Sequence, residues 1–508
     1  MKKYSYIILG LISLFFIPVS CNEGDILDLT NPNELSSETF YQTGEQARAA
    51  VNVIYNSFQT RDLYRRRYFF LHDLLSSEAT GLGSLGGDMV QLEQRTFDSS
   101  NPAIGQIWTG YFRGIHRSNL VISNVPQTSQ AISETERQQY LGEAHFLRAW
   151  FYFELIAVFG DAPLLTQPAN DEVVAGVARS SIDGIYDLIL SDLDFAMQNL
   201  PAKSDYPASE AGRATSGAAQ ALKGKVLLFK GDYAAAETEL QKVVSSGEYQ
   251  LMDDFTDNFK EETENNLESI FEIQFGSNVG AEWGLDGSGN GDVTFRGQEY
   301  GFKEWRNVIP SERLKSEFED GDPRFAFTFY GPCDLFNNGQ DTIYSPNACP
   351  PPSGKNATTP DDLPSWRKYQ QHYRQAGDNT RSPINFRYLR YSDVLLMLAE
   401  CKAEQGDLSS AIDFCNQVRS RANVAMPDYP TAEYPFGNKE EAIEAIYHER
   451  IVELAGEQVW YKDLLRRPDF MSDWVPQAQL PKHLLLPIPQ SEIDNNQNIS
   501  NGNQNPGY

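Results

Sequence analysis

GEAHFLRAWFYFELIAVFGDAP, running from Gly142 to Pro163, is the stretch that decides the fold. Between Glu143 and Phe159 it has neither Gly nor Pro, and its apolar residues run almost all the way round a helical wheel. That is the pattern of a helix buried on nearly every side. The polar exceptions His145, Arg148 and Tyr152 fall at i, i+3 and i+7 and form one narrow stripe, while Gly160 and Pro163 supply a stop. An unpartnered buried guanidinium is prohibitively costly, so Arg148 is expected in a structural ion pair rather than in a binding site.

Working outward, other helices join this one. GEQARAAVNVIYNSF, from Gly44, puts Ala47, Val51, Ile54, Tyr55 and Phe58 on one face, and a second helix is predicted over Tyr68 to Ser76. IWTGYFRGIHRSNLVISNVP carries Trp108, Tyr111, Ile115 and Asn119 at helical spacing, which makes Trp108 a core residue. IYDLILSDLDFAMQNLP follows the central helix with Ile185, Leu188, Ile189, Leu193 and Met197 aligned. Then comes an internal repeat. Ala218–Tyr249 places Gly224, Gly231-Asp232-Tyr233, Ala236 and Leu240 at tetratricopeptide positions, and Val394–Ala422 repeats it with Ala399, Gly406-Asp407-Leu408 and Ala411. One such helix pair cannot bury its own face, so several must stack. The fold class read from these patterns is mainly α: a tetratricopeptide-type body with a loop-rich region and a few short strands.

Between the repeats, from about 251 to 385, the texture turns to Gly, Pro, Asn, Asp and aromatics. ESIFEIQF alternates with period two and reads as a short strand. Trp283 stands among glycines in GSNVGAEWGLDGSGNGDVTF, and Trp305 lies on the next apolar stretch. A loop tryptophan with few neighbours either plugs the loop onto the body or forms a flat platform for sugar rings, whose C–H faces are apolar. Arg296, Glu299 and Tyr300 are within reach in sequence to orient hydroxyl groups. Asp286 to Asp292 begins like a calcium loop but has Gly297 where the closing Glu belongs, so no metal is predicted there. Gly81 to Gly86 matches GxGxxG, yet it follows a helical run without a βαβ unit and reads as a flexible loop.

A formal net charge of −28 argues against nucleic acid as a partner and suits a neutral ligand or an exported protein. Aromatics make up 12% of the chain, enough to spare some for a binding surface. No HExxH, CxxC, P-loop or glycine-framed nucleophile occurs, and the six His show no metal spacing. No enzymatic activity and no cofactor are predicted. A glycosidase needs only two carboxylates at the correct separation, so it stays open as an alternative, as does a scaffold that binds only protein. Glu449, Arg450, Glu453 and Glu457 sit at helical spacings beside Lys462 and read as paired structural charges.

The first twenty residues read as an address. Lys2 and Lys3 precede an apolar run from Tyr6 to Ile17, too short to span a bilayer, and Pro18-Val19-Ser20 leads into Cys21. This resembles a bacterial lipoprotein signal, which implies lipidation of Cys21 and stable anchoring by several acyl chains. In an exported chain Cys333 and Cys349, bracketing a Pro- and Asn-rich excursion, are expected to form a disulfide; Cys401 and Cys415 either bridge or remain buried thiols.

FLRAWFYFELIAVFGDAPLLT resembles the hallmark of the SusD/RagB family of outer-membrane nutrient-binding lipoproteins. The likeness extends through RYLRYSDVLLMLAE, EEAIEAIYHERIVELAGEQVWYKDLLR and the Pro/Asn-rich end LLLPIPQSEIDNNQNISNGNQNPGY. It implies a cell-surface protein, lipid-anchored in the outer membrane, that captures a glycan and delivers it to a SusC-like TonB-dependent transporter. It also implies that the loop after the second helix lies near the ligand, with Asp73 and Glu78 as candidate contacts. On this reading the chain divides into a signal peptide (1–20), an acidic tether (21–43), a helical body (44–250), a loop-rich ligand-binding region (251–385), and C-terminal repeats with the Pro/Asn-rich terminus (386–508).

Overall fold

The computed structural model describes residues 41–83, 85–127, 132–169, 176–276, 291–345, 347–349, 356–357, 362–378 and 382–508. The signal peptide, Cys21, most of the tether, Trp283 and Asp286 lie outside them.

The central helix spans Glu134–Phe159. Ser133 accepts from the Glu136 amide while the Glu136 carboxylate reaches back, a capping box at one end, and Gly160 at φ +69° closes the other. From Tyr140 on nearly every side chain is buried. The polar stripe is consumed internally. Arg148 grips Asp192 with Nε and Nη2, both at 2.7 Å, and its Nη1 reaches Asn119 Oδ1 at 2.8 Å. His145 meets the same carboxylate, and the Tyr152 hydroxyl donates to the Leu165 carbonyl at 3.0 Å. Trp108 is core, packed against Phe112 and Phe159.

Helices Pro102–Asn124 and Ile182–Asn199 flank the central one, and close approach is what glycine permits. A Cβ on Gly114 would stand 2.3 Å from the Phe151 ring, an overlap no small adjustment relieves. The stack then continues through Ser216–Lys230, Tyr233–Ser245 and Tyr391–Glu404 to Leu408–Arg419 and Lys439–Leu454. The two repeat hairpins are built alike. Asp232 and Asp407 cap their second helices from the same backbone conformation, φ −88° and ψ 72°, after Gly231 and Gly406 at φ +81° and +84°.

The chain leaves this stack after Ser245 and returns at Tyr391. Strands Ser269–Ile273 and Phe386–Arg390, near the start and end of the excursion, pair antiparallel and clasp it against the helices. Phe255, Phe259, Tyr300, Val308, Trp366 and Tyr369 from the excursion belong to the same apolar core as the helices. Tyr330, Phe336 and Ile343, with Phe302 against them, form a small satellite core farther out.

Where the excursion meets the C-terminal helices, charges are buried in matched sets. Arg390 binds Glu268 and Glu453 through Nη1 and Glu457 through Nε, each at 2.7 Å. Arg421 holds Glu453 at 2.7 Å and Glu268 at 3.0 Å, Arg324 reaches Glu449, Glu453 and Asp322, and Arg419 takes the other oxygen of Glu449 at 2.9 Å. Burial raises the cost of ionising Glu453, but Arg421 and Arg390 outweigh it and hold the carboxyl well below the usual range. These residues are joined to one another and form no open acid pair.

Among the cysteines the expected Cys333–Cys349 disulfide is not formed; both are free thiols. Hydrogen bonding between the two thiols pushes Cys333 up to about 11, and Cys349 Sγ accepts from the Ser345 amide at 3.4 Å. Cys401 and Cys415 are buried free thiols.

Candidate functional site

The second helix, Arg67–Leu75, ends in a turn with Ser77 at φ +61°, and the chain then enters a short strand, Ala79–Gly81. This strand pairs antiparallel with Val308–Pro310 of the excursion, Ala79 opposite Pro310 and Gly81 opposite Val308. The Leu82 amide adds one more bond to the Asn307 carbonyl at 2.9 Å. The glycine-rich loop after the second helix and the segment carrying Trp305 are thereby fixed at one edge.

Trp305 is 50% exposed on that edge, unusual for an indole. Its backbone is not loose. The Trp305 amide donates to the Gln298 carbonyl at 3.0 Å, and the next amide but one, Asn307, donates to the Glu299 carbonyl at 2.7 Å. Arg306, at φ +48°, turns its guanidinium onto the carbonyls of Leu363 and Pro364 at 2.7 and 3.2 Å. A second exposed apolar side chain, Leu363, is thus tied to the tryptophan's neighbour.

Under this edge lie the five polar residues singled out as ligand contacts, and they are not on the surface. Asp73, Glu78, Arg296, Glu299 and Tyr300 are all buried. Most of their polar atoms are bonded to one another, to the chain near Gly456, or to Arg66 and Asn307. Asp73 accepts from the Tyr300 hydroxyl and from Gln458 Nε2, both at 2.7 Å. Gln458 Oε1 accepts from Arg296 Nη1 at 3.1 Å, and Arg296 Nη2 donates to the Gly456 carbonyl at 2.6 Å. Glu78 accepts from the Gly456 amide at 2.9 Å and from Ser76 Oγ at 3.1 Å. Glu299 pairs with Arg66 and takes a hydrogen bond from the Asn307 amide group. The structure brings these five expected ligand contacts together, but buried rather than on the surface, with Glu299 bonded to the segment that carries Trp305. Charged groups at this depth stay only where their hydrogen bonds are made inside the protein.

This network is short of cations. Burial, then the neighbouring Asp73 carboxylate, pushes Glu78 up to about 8, and burial raises Asp73 against the pull of Arg296. Burial and the Asp73 charge thus both favour the neutral form of Glu78.

Sequence reasoning missed Leu363 and Arg306. Nothing local marks either residue, since their importance comes from contacts across about sixty residues of chain. Trp283 cannot be placed, being outside the described residues. Among the described residues, no group of three or more His, Cys, Asp or Glu side chains could hold a metal ion, and no helix is long and apolar enough to cross a membrane.

Comparison with known proteins places this geometry. A sequence model described as the SusD family matches residues 245–479, and one described as starch-binding associating with outer membrane matches residues 27–228. A SusD-like protein of Formosa agariphila is 26% identical over 527 residues, covering 95% of each chain. Among solved structures, a SusD superfamily protein from Bacteroides vulgatus superposes with a TM-score of 0.77 at 22% identity, over 92% of this chain and 100% of the other. Surface glycan-binding protein A from Bacteroides thetaiotaomicron, solved in complex with laminarihexaose, superposes with a TM-score of 0.72 at 22% identity, over 90% and 98%. With SusD-type family models matching residues 27–228 and 245–479, the chain belongs to the SusD/RagB family.

Proposed function

We propose that the protein is a noncatalytic glycan-binding lipoprotein of the outer-membrane surface, anchored through Cys21, which captures oligosaccharide and delivers it to a SusC-like TonB-dependent transporter. The observation that carries this reading is the half-exposed Trp305 on a backbone pinned from three directions. An indole held still loses little entropy when a pyranose ring stacks on it, so apolar area converts efficiently into affinity. Trp283, twenty-two positions earlier, is proposed as a second ring of the same platform. The five buried polar residues act in this scheme by positioning the segment, without contacting sugar. The relative solved with laminarihexaose makes a β-glucan a reasonable first probe.

The test is retardation of the soluble body in an affinity gel containing laminarin or another polysaccharide. Retardation is expected, and Trp305→Ala is expected to weaken it by roughly 1–3 kcal/mol in binding. Failure of every polysaccharide to retard the protein, with the transporter still co-purifying, would leave a protein-binding scaffold. Release of labelled product would make it a glycosidase.

A further inference from the structure

A cleft of about 450 Å³ opens between the helix Gly44–Asn56, the turn at 209–213 and the end of strand Ser269–Ile273; among the described residues, none from the Trp305 edge lines it. That volume lies within the roughly 300–1,000 Å³ usual for small-ligand sites. Its charged groups are already paired. Arg48 and Arg213 both hold Glu210, Arg213 Nη1 also reaches Glu143 at 2.9 Å, and Glu272 faces Arg387 at 3.3 Å. The cleft therefore favours a neutral occupant, since an ion would have to break a pair to find a partner.

Two side-chain amides of that helix, Asn52 and Asn56, line the cleft one turn apart, and the protein fixes which way each points. Arg213 Nη2 donates to Asn52 Oδ1 at 2.9 Å; a guanidinium can only donate, so the Asn52 oxygen turns inward and its NH2 group outward. At Asn56 the order is reversed. The Gln274 carbonyl can only accept, so Gln59 gives it Nε2, at 2.8 Å, and presents Oε1 to Asn56. Asn56 Nδ2 donates to that oxygen at 3.2 Å, which leaves Asn56 Oδ1 facing outward. Asn52 is an exposed residue, and Asn56 a half-buried one whose outward oxygen is open to solvent. Tyr55 adds an aromatic wall, its hydroxyl already engaged by Glu143 at 2.8 Å and by the Ala214 amide at 3.0 Å.

We propose that this cleft is a second glycan site, separate from the Trp305 platform, that holds a neutral oligosaccharide by its hydroxyl groups. Side chains at i and i+4 stand about 5–6 Å apart at Cβ, a separation that hydroxyls across one pyranose ring can bridge. A hydroxyl both donates and accepts, so one accepts from Asn52 Nδ2 while another donates to Asn56 Oδ1, and the C–H face of the ring meets Tyr55. Because Arg213 and Gln59 hold the two amides before the sugar arrives, little side-chain entropy is lost on binding. Binding in this cleft does not depend on the Trp305 reading.

The experiment is saturation-transfer NMR on the whole protein carrying Trp305→Ala, with maltotriose, laminaritriose and cellotriose at millimolar concentration and N-acetyl-trialanine amide as a neutral peptide control. At least one trisaccharide should bind saturably, and the peptide should not. Asn52→Asp keeps an acceptor for Arg213 and removes only the outward donor, so it should weaken binding roughly three- to tenfold without lowering the melting temperature. Asn56→Leu removes the outward acceptor and should weaken binding by a similar factor, and the two together should abolish it. Absence of saturable binding by all three trisaccharides overturns the proposal; if the protein with Trp305 intact still binds them, the platform reading stands and only this one falls. Binding that both asparagine substitutions leave unchanged, or saturable binding of the peptide in place of the sugars, also overturns it.

Discussion

Two buried acid clusters lie within the same fold and are handled in opposite ways. Around Glu453, carboxylates meet Arg324, Arg390 and Arg421 in close contact, and they stay ionised although burial opposes it. Around Asp73 and Glu78 the opposing pull is weaker: Arg296 acts on Asp73 and Lys368 on Glu78, yet burial and the neighbouring Asp73 carboxylate push Glu78 up to about 8. Depth is equal in the two places. What differs is the balance of cations against neighbouring carboxylates, and that balance decides between an anion and a neutral hydrogen-bonding group. The ionised cluster fastens the excursion to the C-terminal helices. The neutral one props the edge that carries Trp305.

The sharpest way to break this contrast is Glu453→Ala, which leaves three guanidiniums facing a gap. A loss of about 3–5 kcal/mol is expected in urea unfolding at pH 7. Arg296→Met should cost less, roughly 1–3 kcal/mol, since Asp73 can take up a proton where Glu453's partners cannot shed one. Its effect should shrink as pH falls, and a pH-independent loss would mean that Asp73 is not the group responding.

Glu78→Gln probes the other side. The folded-state pKa of Glu78 is raised above its unfolded value, so its contribution is fully present below about pH 4 and is lost as pH rises through about 8. Asp378, raised by burial to about 7, and Glu264, raised by burial to about 8, act in the same direction. Glu453 acts in the opposite direction, its stabilisation being lost as pH falls below the ordinary carboxylate range. Unfolding midpoints should therefore peak in mildly acidic buffer and decline toward pH 9. Gln imitates the protonated acid, so Glu78→Gln should change stability by less than about 1 kcal/mol near pH 6 and flatten the alkaline decline. An unchanged decline would assign it to other groups. The smallest expected effect is that of Trp305→Ala on stability, within about 0.5 kcal/mol, because the exposed indole holds nothing together. A larger loss would mean that the ring is structural and would weaken the platform reading.

The helical body was legible because its signals are local. The apolar wheel of Gly142 to Phe159, the spacing of Trp108 and Tyr111, and the two Gly-Asp pairs that turn the repeat hairpins each specify their element within a few turns of chain. The partner of Arg148 was foreseeable in kind, an acid inside the fold, but not in identity, since Asp192 comes from the next helix. The candidate site was legible only in outline. Trp305 carried a residue-type signal, whereas Asp73, Glu299 and Tyr300 looked equally suited to a sugar and are buried beneath it.

The sequence by itself determined the class of the fold, the stacking of its helix pairs and the acidic, aromatic-rich character of the chain. Periodicity and turn chemistry act over neighbouring residues, and composition needs no coordinates. Only the tertiary structure decided which polar residues face solvent, which acids keep their protons and where a pocket opens. Those outcomes depend on groups hundreds of residues apart, such as Asp73 and Gln458, being brought within one hydrogen bond of each other.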